Sequence, residues 1–141
     1  MMTPSERVSA AVVVGALAGV IALAFWLTPD PRGLGTHEQL GLRPCLTVYV
    51  FDLPCPFCGM TTAMSLMAHG HPVDAFRTQP AGALTFAAAV VALAACMVFA
   101  VAGRMPAVLG SRRWQKSLAI VGAAMVLMAW AYKIYVHKMG P

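Results

Sequence analysis

Three of the four cysteines fall within fourteen residues, as Cys45 followed by Cys55-Pro56-Phe57-Cys58-Gly59. The CxxC spacing brings two sulfurs to one point, and the glycine that follows can take a positive φ at little steric cost. Two thiolates held this way can grip one ion while nearby backbone N–H groups offset their charge. Zinc wants four ligands drawn from Cys, His or carboxylate. Cys45, Cys55 and Cys58 supply three, and His37, eight residues before Cys45, is the preferred fourth; His69 and His71 are its rivals. A zinc ribbon would carry a second CxxC, and the sequence has none.

The same residues support redox chemistry. Pro56 suits the first position of a helix, which would leave Cys55 near the N-cap. Met60 to Ala68 continues in helical residues and Gly70 ends the run. A thiol at a helix N-terminus has a lowered pKa and becomes a better nucleophile. Cys55 and Cys58 could then cycle between dithiol and disulfide, with Cys45 as the exchanging partner. No βαβ pattern surrounds the motif, so a thioredoxin-like domain is excluded and a membrane thiol relay, loosely like the vitamin K epoxide reductase type, is what remains. A third use is a Cys45–Cys55 cross-link that ties down a long connection and leaves Cys58 free. Cys96, among alanines and valines, reads as a small apolar filler.

Other polar residues near the motif add less. Thr61 and Thr62 could offer hydroxyls to the sulfurs, though threonines on a helix more often satisfy backbone carbonyls. Asp52 could pair with Arg43 or His37, or face water. His71-Pro72-Val73-Asp74 looks like the start of a short helix with Asp74 near its N-terminus, and His137 reads as solvated.

The elements that must position these residues are apolar. Of 141 residues, 60% are hydrophobic and 11% charged, with a mean hydropathy of +0.74; an ordinary soluble domain runs about 45–50% and about 25%. The expectation is a single integral-membrane domain over 1–141, with spans at about 8–27, 81–103 and 118–136 and the cysteine connection at 28–80. The first two runs carry no charge; the third carries Lys133, close enough to its end to snorkel toward the headgroups. The first run is long for a signal peptide and lacks a small-x-small cleavage site, so it reads as a retained anchor ended by Pro29. Arg104, Arg112, Arg113 and Lys116 crowd the second connection, which the positive-inside rule assigns to the cytoplasm. The N-terminus is then cytoplasmic and the cysteine connection faces outward. Leu46 to Ala68 could be a fourth span, but Pro54 and Pro56 break it and the charges oppose it; a re-entrant or interfacial segment fits better.

Gly15 and Gly19 form a GxxxG pair, and Ala88, Ala92 and Ala95 line the second span, which suits close helix packing in lipid. The methionines read as lipid-facing or core filler. The net charge of +5 sits beside apolar spans without interleaved aromatics, as expected for anionic headgroups rather than nucleic acid.

Two segments, Gly35-Thr36-His37-Glu38-Gln39-Leu40-Gly41-Leu42-Arg43-Pro44-Cys45 and Pro54-Cys55-Pro56-Phe57-Cys58-Gly59-Met60-Thr61-Thr62-Ala63, resemble domain-of-unknown-function family 2752 of small bacterial membrane proteins. Its hallmark is CPxCGxT, usually followed by Arg and sometimes by Thr, and Thr62 matches the second form. Phe76-Arg77-Thr78-Gln79-Pro80 also fits, although the family commonly has Asn at the place of Gln79. The resemblance runs from about Gly35 to Leu84. It implies a multi-pass protein of the bacterial inner membrane and groups His37, Cys45, Cys55 and Cys58 in one pattern; it does not select metal over disulfide.

The expectation is therefore an all-α membrane protein with three transmembrane helices and one or two short interfacial or re-entrant helices in the first connection. The first functional expectation is a non-enzymatic accessory or structural subunit holding zinc through Cys45, Cys55, Cys58 and His37. Its partners would be the lipid bilayer and other membrane proteins or copies of itself, through Gly/Ala helix faces. The alternative is a membrane thiol–disulfide oxidoreductase using Cys55, Cys58 and Cys45.

Overall fold

The computed structural model describes residues 4–102 and 112–139, and these residues are all-helical. The elements are α1 (Pro4–Trp26), a 3-10 helix (Thr36–Leu40), α2 (Leu46–Phe51), α3 (Met60–Ala68), α4 (Pro72–Thr78), α5 (Pro80–Ala102) and α6 (Arg112–Met139). Two of them are long and apolar enough to cross a membrane, over Pro80–Phe99 in α5 and Gln115–Val136 in α6. α1 has a shorter apolar stretch, Ala10–Trp26. The connection carrying Arg104 lies outside the described residues.

The first connection is more broken than its hydropathy suggests. One or two short helices are expected there; three short α-helices and a 3-10 helix are present. Left-handed residues cut the chain at each joint: Gly35 and Gly41 bound the 3-10 helix, Asp52 (φ 49°) ends α2, and Gly59 (φ 84°) precedes α3. At six and nine residues, α2 and α3 are far short of the roughly 20 needed for a span, so 46–68 is not a fourth crossing. The short helix expected after His71 is α4, with His71 at its N-cap, Pro72 at N1 and Asp74 in its first turn.

α3 is the hub, packed by α1, α4 and α5. Ala63 of α3, Ala75 of α4 and Ala83 of α5 form its fully buried centre, flanked by Leu66 and Met67. Within this packed centre the backbones approach closely at Gly82. A Cβ there would lie 2.8 Å from the Met60 carbonyl oxygen and 2.9 Å from the Ala63 Cβ. α1 joins through its C-terminal end: Phe25 meets Phe86 edge-on at 6.5 Å, and Ser65 Oγ donates to the Leu27 carbonyl. The GxxxG pair does not serve this packing, since both Gly15 and Gly19 face open space. α6 meets α5 along an apolar groove between Pro80, Ala81 and Leu84 on one side and Met125, Met128, Ala129 and Tyr132 on the other.

Candidate metal centre

The cysteines sit where three elements of the first connection meet. Cys45 is the N-cap of α2, and its carbonyl accepts the Val48 N–H at 3.1 Å. Cys55 and Cys58 close one turn: the Cys58 N–H donates to the Cys55 carbonyl at 3.0 Å, and the Cys55 N–H points at the Cys58 Sγ at 3.2 Å. Phe57 is left at the exposed apex. The turn does not continue into a helix. Gly59 in the left-handed region separates it from α3, whose first residue is Met60. Cys55 is thus not the N-cap of a helix, contrary to the expectation from Pro56; one glycine redirects the chain between the two.

The three sulfurs of Cys45, Cys55 and Cys58 lie within 4.8 Å of one another and could hold a metal ion. None of the four cysteines is in a disulfide. The Cys58 thiol donates to the Cys55 sulfur at 2.9 Å. Two sulfurs bound tetrahedrally at about 2.3 Å to one zinc stand about 3.8 Å apart, so this pair would open by about 1 Å to share an ion. The electrostatics separate the cluster. Burial raises the Cys45 thiol, but hydrogen bonds involving Cys58, Thr47, the Val48 N–H and Cys55 outweigh it and bring its pKa down to about 6. Burial pushes the Cys58 thiol well up, and its bonds to Cys55 and Cys45 push the same way. Three sulfur donors gathered at one point are the ligand chemistry that zinc and other thiolate-selecting ions use.

His37 lies on the 3-10 helix and lines a cavity of about 130 Å³ together with Cys45, Cys58, Gly59 and Glu38. The compact ligand group itself consists of the three sulfurs. His69 and His71 are at the other end of α3, about 13 Å along nine residues at the helical rise. There the His69 ring bonds the Ser65 carbonyl at 2.8 Å and packs beside Phe25.

Polar bonds fix the loop that carries His37. Thr36 Oγ1 accepts the Asp30 N–H at 3.0 Å and bonds Thr62 Oγ1 at 2.8 Å, both hydroxyls being fully buried. Thr62 therefore ties the 3-10 helix to α3 rather than serving the sulfurs. Arg32 pairs with Asp30 at 2.7 Å and Glu38 at 3.4 Å, and Gln39 exchanges two bonds with the Thr28 backbone.

Two residues that the sequence reading did not assign to the site bond the cysteine segment, and a third, Lys133, lies beside Gly59. Gln79 Nε2 donates to the Pro56 carbonyl, and Trp130 Nε1 to the Pro54 carbonyl, each at 2.9 Å. Gln79 is fully buried and its Oε1 has no partner. Lys133 does not run outward to headgroups: its Nζ donates to the Thr78 carbonyl at 2.8 Å and reaches the Gly33 carbonyl at 3.4 Å. The available signal was Trp130 and Lys133 spaced i, i+3 in an apolar helix, which puts both polar tips on one face.

No curated protein and no solved structure matches the chain. The segment from Cys45 through most of α5, residues 45–99, matches the family model described as Protein of unknown function (DUF2752), the family that the two cysteine segments resemble, and it contains all three clustered cysteines.

Proposed function

We propose that the chain is a small multi-pass membrane protein whose outward-facing first connection is built around a structural zinc site, and that it serves as an accessory or structural subunit rather than an enzyme. The observation that carries this reading is the convergence of three sulfurs within 4.8 Å from two separate segments. Cys45, Cys55 and Cys58 would be ligands, with His37 as the fourth; its place on the wall of the same cavity supports it. The ion would draw the Cys45 end of α2 onto the turn before α3, linking two separate segments.

In this reading α1, α5 and α6 span the bacterial inner membrane, with the N-terminus cytoplasmic. The apolar length of α5 and α6 supports the spans, and the basic residues between them support the orientation. Lipid is one partner. The open space at Gly15 and Gly19 suits a helix of another subunit or a second copy. Nothing in the charge pattern calls for nucleic acid.

The test is chelation. Binding energy at a structural site is folding energy, so a strong zinc chelator should lower the unfolding midpoint of the detergent-solubilised chain by well over 10 °C, and zinc should restore it. An unchanged midpoint contradicts the reading.

The 2.9 Å contact between Cys58 and Cys55 supports a second reading, a thiol–disulfide oxidoreductase. The Cys55/Cys58 dithiol would pass two electrons and two protons to a disulfide substrate, which is reduced to two thiols. Under this reading Cys58→Ser traps a mixed disulfide between Cys55 and its partner; no adduct under oxidising conditions counts against it.

A further inference from the structure

Lys133 is the sole charge in the apolar stretch from Leu118 to Val136, and its side chain turns toward the cysteine turn. Besides its bonds to the Thr78 and Gly33 carbonyls, the ammonium stands 2.9 Å from where a Cβ on Gly59 would lie. The missing side chain at Gly59 thus leaves the space that the ammonium fills, one residue beyond Cys58. The ion pairs of the described residues join Arg32 to Asp30 and Glu38, and Arg77 to Asp74, and do not include Lys133. Trp130, one turn earlier on the same face, fixes the helix against Pro54, so the ammonium is carried to this place by a rigid element.

We propose that Lys133 is the counter-charge of the cysteine site, a positioning residue that lets three thiolates share a divalent ion. This rests on the zinc reading. Three thiolates on a divalent cation leave one excess negative charge, and a neutral fourth ligand such as His37 does not change that. Beside apolar helices an uncompensated charge is costly. The ammonium brings the site to neutrality without becoming a ligand, and its two carbonyl bonds hold it there. Loading the site would then draw α6 to the first connection by charge as well as by hydrogen bonds.

The experiment compares zinc affinity, by competition with a chromogenic chelator at one fixed pH, in the detergent-solubilised full chain and in K133R, K133Q and K133M. Loss of an outer partner of this kind typically costs about 10–100-fold in metal affinity. K133Q and K133M should show that loss, while K133R, which keeps the charge, stays within a few-fold of the parent. K133Q can still donate hydrogen bonds, so a purely structural lysine would leave K133Q near the parent affinity, and that result overturns the inference. If K133M fails to fold, the K133Q and K133R pair decides, equal affinities being contrary. A parent chain that binds no zinc overturns the zinc reading and this inference with it. Equal binding by parent and K133Q overturns this inference alone.

Discussion

The cysteine end of the molecule and the far ends of its long helices are built on opposite terms. Around α3 the buried groups are small or polar: Ala63, Ala75, Ala81 and Ala83 beside Thr36, Thr62, Ser65 and Gln79, all with no exposed surface. Almost every polar group there has a named partner on another element. Along the long helices large apolar side chains stand open, with Val12 66%, Val91 68% and Ile120 70% exposed; at the cysteine end Leu46, Phe51 and Phe57 are open as well, outside the packed centre. Gly82, at the first end, admits the Met60 carbonyl, whereas a Cβ at Gly15 or Gly19 would meet nothing within 4 Å. The contrast teaches that close packing and polar bonding within the chain are concentrated where the cysteine turn must be held. The open apolar lengths, on the membrane reading, belong to lipid or to a neighbouring subunit.

The comparison can be broken most directly by moving the same bulk to both ends. Gly82→Leu should destabilise the detergent-solubilised chain by about 3 kcal/mol, because its Cβ meets backbone rather than a movable side chain. Gly19→Leu should stay within about 0.5 kcal/mol, as expected of an unconstrained site. Equal effects in thermal unfolding would erase the difference between the two regions. Gly59→Ala should cost about 2 kcal/mol, since φ is +84° and the new Cβ would lie 2.7 Å from the Gly33 carbonyl oxygen. The same measurement checks it, and the loss should be accompanied by weaker zinc binding as Lys133 is displaced. Thr62→Val should cost about 1 kcal/mol by removing the buried bond to the Thr36 hydroxyl, which would keep only the Asp30 N–H, whereas a threonine-to-valine change on an exposed helix face would do little.

The smallest effect sharpens the picture of the thiols themselves. In reduced, metal-free protein, Cys45 has its pKa depressed from 9.0 to about 6. A depressed acid stabilises the fold above its unfolded value and loses that contribution as pH falls through the folded one. Cys58, raised from its ordinary value, works the other way and opposes folding as pH climbs past about 9. Stability should therefore rise between about pH 6 and 9 and decline above it, with a modest amplitude because Cys45 is only partly buried. Unfolding midpoints across this range check the shape, and a curve falling steadily from pH 6 to 9 would contradict it.

Much of the architecture was legible because it depends on composition and local spacing. Charge-free runs mark α1 and α5, and a run with one lysine marks α6. CxxC places two sulfurs together whatever the surrounding fold. The short elements were underestimated because hydropathy is continuous across Leu46–Ala68, whereas the breaks come from backbone conformation at Asp52 and Gly59. The start of α3 was misjudged for the same reason: Pro56 permits a helix, but Gly59 ends the turn first. Gly82 was hidden because a single glycine in an alanine-rich helix has no spacing signal, while Gly15 and Gly19 had one and pack against nothing within the chain. Trp130 and Lys133 reach the cysteine turn from about seventy-five residues away in sequence, as the Trp130–Pro54 bond spans 76 positions; no local pattern encodes that meeting.

The central claim is that Cys45, Cys55 and Cys58 jointly hold one ion. The most direct test is metal content and free-thiol count on a single detergent-purified sample. The account predicts about one zinc per chain, with these three cysteines unreactive until a chelator is added. A metal-free chain with two of the three thiols missing until reductant is added would contradict it and leave the disulfide chemistry of Cys55 and Cys58 in its place.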